Sequence, residues 1–531
     1  MNKKYIITFL VVIFGASACT DLDVKPKSSA TGDVIFNNSQ AYLQFLARLY
    51  AGLAISGQQG PAGNPDIKGI DEGFSNYLRQ YWKAQELTTD EAVIGWNDGT
   101  LPTYHLHTWT AQNEFINAMF NRIYFQISMT NEFLRETTDA KLDERNATDA
   151  IRADVKVYRA EARFLRALSY WHGLDMFGSI PLVNEESRVG TNAPEQSTKQ
   201  EVFDFIESEL KAIETELTDA RANSYGRADK AAAWTLLAKL YLNAKVYTGQ
   251  DKYTECITYS QKVIDAGFEL DQNYRSLFTL DNVNSDEIIL TINFDGNFTQ
   301  TYGGMTFLVH ASIGGAMTAT DYGVNTGWAG LRTTKNLVNL FPDETGATDE
   351  RAIFYRNDQS KEIPNTPITS FKEGYAVPKF RNINSDGDAG SSLEFVDTDF
   401  PLFRLADVYL MYAEAVERGG TGGSEAALVT YINALRQRAY GNNSGNIAAE
   451  DITLDFLIEE RGRELYWEAH RRTDLIRFGL FTDSEDNNPR AVWPWKGEVA
   501  AGRETETFRN VFPLPSSQII ANPKLEQNDG Y

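Results

Sequence analysis

Cysteine, histidine and positive charge are all scarce in this sequence, and each shortage removes a class of protein. Only 2 cysteines, Cys19 and Cys256, occur in 531 residues, so no framework of disulfides staples the chain. The 5 histidines, at 105, 107, 172, 310 and 470, show no metal-ligand spacing. His105 and His107 alternate in "YHLHTW", as residues on one side of a strand would, and read best as a satisfied surface pair. Lysine and arginine number 50 against 73 acids, a formal charge of -23. Such a chain repels phosphate backbones, which excludes nucleic acid, and gains nothing from broad contact with anionic lipid. No HExxH, nucleophile elbow or phosphate loop is present. With 16 prolines and 42% hydrophobic residues, the composition is globular, with length for two or three domains or one large helical body.

Long apolar runs are also missing, apart from one at the start. Lys3 and Lys4 precede "YIITFLVVIF" (5–14), which is followed by "GASAC". The run falls short of the about 20 residues a spanning helix needs and reads as a secretory signal, residues 1–18. Small residues leading into Cys19 resemble the lipobox of bacterial lipoproteins, in which the cysteine becomes the acylated first residue. Ordinary cleavage after Ala18 is the alternative and would leave an exposed thiol. Acyl chains contribute ~0.8 kcal/mol per buried CH2, so a multiply acylated Cys19 anchors the chain stably. Cys256, in a helical stretch, reads as a small buried apolar residue.

What the sequence has in quantity is helix in pairs. "YRAEARFLRALSYWHGLDMFG" (158–178) carries an apolar face at Ala160, Phe164, Leu168 and Trp171 and is followed by "FDFIESELKAIETEL" (203–217). "AAAWTLLAKLYLNAK" (231–245) leads into "YTECITYSQKVIDAGF" (253–268), and "FRLADVYLMYAEAVER" (403–418) into "EAALVTYINALRQRAYG" (425–441). Residues 42–53 and 114–136 offer a fourth pair. Each pair has an apolar face it cannot bury alone, which is the logic of tetratricopeptide-like units. The expected fold is mainly α: helical pairs over about 40–280 and 400–480, an irregular insert with a few short strands over about 280–400, and a tail over 481–531. "DEIILTINF" (286–294) is the clearest strand. Arg152, Lys156, Arg159, Arg163 and Arg166 form a basic stripe expected to pair with acidic neighbouring helices, and Glu468 and Arg472 an i, i+4 pair.

The order of these segments resembles the SusD/RagB family of Bacteroidetes outer-membrane nutrient-binding lipoproteins. The resemblance rests on "CTDLDVKP", on "YRAEARFLRALSYWHGLDMFGSIPLV", on "FRLADVYLMYAEAVER", on "FLIEERGRELYWEAHRRTDLIRFG" and on the ending "VFPLPSSQIIANPKLEQNDGY". "GIDEGFSNYLRQYWKAQELTTDEAVIGWNDG" is most similar to the starch-binding branch. Membership implies one body on four tetratricopeptide-like units, held by a lipid anchor at the outer membrane and facing the exterior. It implies binding of oligosaccharides without cleavage, α-glucan (starch and maltooligosaccharides) for this branch, and delivery to a TonB-dependent porin of the SusC type.

A pyranose needs a flat aromatic for its apolar face and planar polar groups for its rim of hydroxyls. Trp96, in the glycine-bounded loop of "DEAVIGWNDG", supplies the first, and Asn97 and Asp98 the second. Arg79 offers a guanidinium fork and Asp71 an acceptor. The resemblance to the starch-binding branch supports Asp71, Arg79 and Trp96. Trp328 in "TGWAGL" and Tyr302 in "TYGGM" would complete a curved surface, whereas Trp493 and Trp495 read as packing or partner contacts. The site needs no cofactor. Asp281, Asp286 and Asp295 would permit a calcium ion, but their spacing matches no loop motif. The rival readings are a different glycan, a surface glycoside hydrolase with two carboxylates about 5–9.5 Å apart, or a purely structural transporter subunit that leaves the loop tryptophans unexplained.

Overall fold

The computed structural model describes residues 36, 39–187, 193–364, 367–482 and 488–531, so the signal segment and Cys19 lie outside the described residues. The architecture is mainly helical. Helix α1 spans Ser39–Ala54, α2 Tyr77–Glu86, α3 Glu114–Glu136, α4 Asp149–Phe177, α5 Lys199–Ile213, α6 Lys230–Leu242 and α7 Tyr253–Ile264. Their starts are set by local chemistry: Asn113, Thr148 and Asp229 each accept a hydrogen bond from a first-turn amide, and Thr198 with Glu201 closes a capping box on α5. Among the described residues no helix is long and apolar enough to cross a membrane.

The expected pairs meet in space. Helix α4 packs on α5 and α6 on α7. After the irregular middle, α9 (Leu405–Glu417) packs on both α7 and α10 (Glu425–Tyr440). Helix α3 packs on α4, and α1 leans on both of them rather than pairing with α3 alone. Between α7 and α9 lies α8 (Gly304–Ala311), and α11 (Leu454–Leu465) and α12 (Arg471–Arg477) close the scaffold. Strands come in antiparallel twos: β1 (Val93–Ile94) with β5 (Leu331–Arg332), β2 (Ile180–Pro181) with β3 (Gln196–Ser197), and β4 (Ile288–Ile292) with β6 (Phe400–Arg404). One contiguous apolar core runs from Leu46 to Leu525 and includes the fully buried Cys256.

Three of the five residues of the basic stripe on α4 meet acids as expected, whereas Arg159 donates to the Leu134 carbonyl and the Thr137 hydroxyl. Arg152 pairs with Asp143, Arg163 with Glu209 at 2.9 Å, and Arg166 with Glu185 and Glu209. Two local readings are corrected. Glu468 and Arg472 are not an i, i+4 pair, because α11 ends at Leu465 and the chain turns through positive φ at Trp467 and Ala469. Glu468 meets Lys379 and Arg404 instead, and Arg472 donates to the Asn510 carbonyl. His105 and His107 lie at a short helix, Thr103–Leu106, and are buried, His105 against Glu498 and His107 against the Thr88 carbonyl. Trp493 and Trp495 are packing residues, each 7% exposed.

A buried ionic network joins the irregular middle to the last helices. Arg404, at the end of β6, reaches Glu287 at 2.9 Å, Glu464 at 2.6 Å and Glu468 at 2.6 Å. Arg351 meets Asp349, Glu460 and Glu464 at 2.7–3.0 Å, and Arg438 meets Glu287 and Glu464. These side chains are almost wholly withdrawn from water, so each charge depends on its partners.

Candidate functional site

The stretch "DEAVIGWNDG" is built from the bottom up as a rail that ends in a tryptophan. Asp90 is fixed by Arg471 at 2.7 Å, Ala92, Val93 and Ile94 are buried, and Val93–Ile94 pair with Leu331–Arg332. The ladder continues one step as the Gly95 amide donates to the Gly330 carbonyl at 2.9 Å. A side chain at Gly95 would come within 2.6 Å of the Arg332 guanidinium, so glycine is required there. Trp96 then lies half-buried across Gly330, its Nε1 donating to the Trp328 carbonyl at 3.2 Å.

Trp328 hangs on the C-terminal end of α8. Its amide donates to the His310 carbonyl at 2.8 Å, and its ring stacks on the His310 imidazole at 4.7 Å and 23°. The His310 nitrogens face the Thr326 and Glu394 carbonyls at 2.7 and 3.0 Å, and burial pushes its pKa down. Tyr302 comes next, its hydroxyl donating to Glu394 at 2.6 Å and its ring 5.5 Å from Phe395. Trp96 and Trp328 are 6.4 Å apart at 41°, and Trp328 and Tyr302 6.3 Å apart at 55°. Three half-exposed rings therefore form an arc in which each face is tilted against the last.

Arg79 lies beneath this arc rather than in front of it. It is 4% exposed, and its guanidinium sits between the rings of Phe74 (4.3 Å) and Phe307 (4.1 Å), with Trp96 at 5.8 Å. Nη1 donates to the Tyr302 carbonyl at 3.1 Å. Burial brings the Arg79 pKa down to about 9, against the pull of Asp71, Asp98 and Glu72. One helical turn on, Lys83 is fully buried with its ammonium 3.7 Å from the Phe115 ring. Asp71 is exposed and caps its own turn through the Gly73 amide, while Asn97 and Asp98 are exposed beside Trp96. Asp281, Asp286 and Asp295 are engaged separately, with Ser385, Arg221 and Asn297, and no group of three or more metal-ligating side chains occurs among the described residues.

The supports of the arc are what the sequence does not reveal. Phe307 and His310 occur in "MTFLVHA", which reads as an ordinary core helix, and Glu394 lies more than 60 residues from Trp328 with no local motif. Gly330 is the exception, a glycine beside a loop tryptophan. A Cβ there would lie 2.5 Å from Trp96 Cε2. Gly330→Ala is therefore expected to tilt Trp96 out of the arc, weakening ligand binding several-fold while the thermal midpoint moves by less than a few degrees.

The rail also carries a buried acid pair. Glu86 and Glu91 are wholly buried, Glu86 Oε1 accepting from the Ala469 amide (2.7 Å) and Glu91 Oε2 from Trp467 (3.2 Å). Burial, then the neighbouring Glu91 carboxylate, raises the Glu86 pKa well above the usual range; burial pushes Glu91 up to about 7. Among the described residues no donor is directed at Glu86 Oε2, as suits a carboxyl that holds its proton. The folded state thus binds this proton more tightly than the unfolded chain does. The pair's contribution is complete below the ordinary glutamate value, about 4.3, and is lost as pH rises through about 7. Glu86→Gln is expected to flatten that decline in melts between pH 5 and 9.

Comparison with known proteins gives the family and the fold. A family model described as the SusD family matches residues 364–531, and one described as starch-binding associating with outer membrane matches residues 22–242. The chain is 34% identical to the starch-binding protein SusD of Bacteroides thetaiotaomicron, with 100% of both chains covered. The chain belongs to the SusD/RagB family. Another member, SusD-like protein P2 of Formosa agariphila, is 26% identical over 100% of both chains. The fold of the SusD/RagB chain is also that of surface glycan-binding protein A from Bacteroides thetaiotaomicron, solved in complex with laminarihexaose. That match has a TM-score of 0.68 and 19% identity, and covers 92% of this chain and 99% of that one.

Proposed function

We propose that this protein binds α-glucan, as starch or maltooligosaccharides, at the cell surface. The observation that carries the reading is the row of Trp96, Trp328 and Tyr302, three half-exposed rings whose neighbouring planes are tilted to each other by 41° and 55°. A flat stack of rings suits an extended glycan. A tilted one suits a chain that curves, as an α-linked glucan does. Each ring takes the apolar face of a sugar, and the exposed Asn97, Asp98 and Asp71 beside the arc meet the hydroxyl rim. Arg79 serves the site from below, holding the rings and the Tyr302 backbone in place.

The protein releases its ligand unchanged. That reading is supported by relatives named as binding proteins and by Glu394 being committed to the Tyr302 hydroxyl. Several weak contacts along one polymer add by avidity and still allow release. A lipid anchor at Cys19 and a partner porin of the SusC type, both implied by the family, would hold the protein at the outer membrane and receive the glycan. The test is native electrophoresis of the body from residue 20 onward through gels containing starch, levan or xylan. Retardation by starch alone supports α-glucan. Retardation by levan or xylan instead moves the ligand to that glycan, and free migration in all three overturns the reading.

A further inference from the structure

A second concavity, of about 260 Å³, opens between the segment after α7 and the 379–387 loop. At ~30 Å³ per water it has room for about eight waters, enough for a hydrated oxyanion or the charged end of a larger ligand. Apolar surface from Ile353 and Ile383 alternates in its lining with Asn273, Arg275, Arg381 and Ser385, with Lys379 on the same wall.

What sets this cleft apart is that two arginines with no carboxylate partner among the described residues line one concavity. Acids outnumber bases in this chain by 73 to 50, and most of its arginines are engaged by carboxylates, as on α4 and around Glu464. Arg275 is exposed, and among the described residues its guanidinium has neither a hydrogen bond nor an ion pair. Arg381 donates only Nε, to the Pro378 carbonyl at 3.2 Å, and lies over the Tyr322 ring at 5.2 Å. Burial lowers the Arg381 pKa, and the repulsion of Arg275 lowers it further. The nearest acid of the lining does not relieve this. Asp281 accepts from the Ser385 amide at 2.6 Å and the Thr279 hydroxyl at 3.3 Å. Lys379 is already taken by Glu468 and the Tyr466 carbonyl. Two more donors stand free, the Asn273 side-chain nitrogen and the Ser385 hydroxyl.

We propose that this cleft binds a sulfate or phosphate group between the Arg275 and Arg381 guanidinium forks, with Asn273 and Ser385 as further donors. Planar forks recognise tetrahedral oxyanions through paired N–H donors, and a bound dianion would remove the repulsion between the two cations. The group is either a free anion or a substituent on a glycan, and the site is independent of the aromatic arc.

Calorimetric titration at constant ionic strength tests it, with inorganic sulfate, inorganic phosphate and a sulfated oligosaccharide as probes. Constant ionic strength keeps diffuse screening from imitating binding. The parent is expected to take up one equivalent saturably, and Arg275→Ala and Arg381→Gln each to bind roughly tenfold more weakly. Trp96→Ala should bind like the parent, which separates this cleft from the glycan site. Uptake of the inorganic ions identifies a free-anion site, and uptake of the sulfated sugar alone a charged glycan. No saturable uptake of any probe, or parental affinity in Arg275→Ala, overturns the proposal.

Discussion

Trp96→Ala is expected to abolish retardation by starch. In titrations with maltooligosaccharide it should weaken binding about 30-fold, about 2 kcal/mol, the scale of a central aromatic anchor. The effect is large because Trp96 does three things at once. It presents a face to the ligand, its Nε1 holds the Trp328 carbonyl, and its ring packs on Phe307 at 6.0 Å. Trp328 therefore loses a neighbour when Trp96 is truncated. Trp96→Phe keeps a smaller face but not the hydrogen bond, so it should fall between the two. Parental affinity in Trp96→Ala would remove the arc from the binding reading and leave the protein as a transporter subunit.

Arg404→Ala is expected to cost about 3–5 kcal/mol of stability, read from denaturant unfolding, because it takes one cation from three interior carboxylates and leaves Glu287 to Arg438, Glu464 to Arg351 and Arg438, and Glu468 to Lys379 alone. Glu287, Glu464 and Glu468 all meet Arg404, and none has water to fall back on. That loss is a large share of an ordinary domain's 5–15 kcal/mol. The same network makes stability fall in acid. Glu460 is held at about 2, burial being outweighed by Arg351, Arg463 and Arg436, and Glu464 is held lower still. These pKa values lie below their unfolded ones, so the contribution is present above about 4.3 and is lost as pH falls through about 2. Stability that stays level as pH falls from about 5 to about 2 would contradict this.

The helical pairs were legible in the sequence because they are set by neighbours within a few residues. The 3.6-residue period of Ala160, Phe164, Leu168 and Trp171 works whatever the rest of the chain does, whereas the caps at Thr148 and Thr198 came only from the structure. Trp96, Trp328 and Tyr302 were also legible as candidates, since an aromatic in a glycine-rich loop has little local reason to be there. Local pattern failed at "YWEAHRR", where helical spacing joined Glu468 to Arg472 but buried partners from 379 and 404 drew the chain out of helix. It failed again at His105 and His107, whose burial depends on Glu498 and Thr88.

The sequence by itself determined the helical scaffold, the net negative surface and the three rings. Tertiary structure alone decided that the rings share one arc, that Arg79 lies under it and that Gly330 makes room for Trp96. The physical reason is separation along the chain. Residues 79, 96, 302, 310, 328 and 394 meet only through long-range packing, and the angle between two rings is fixed by backbone hydrogen bonds such as Trp328 to His310 and Gly95 to Gly330. No periodicity in a sequence encodes that angle.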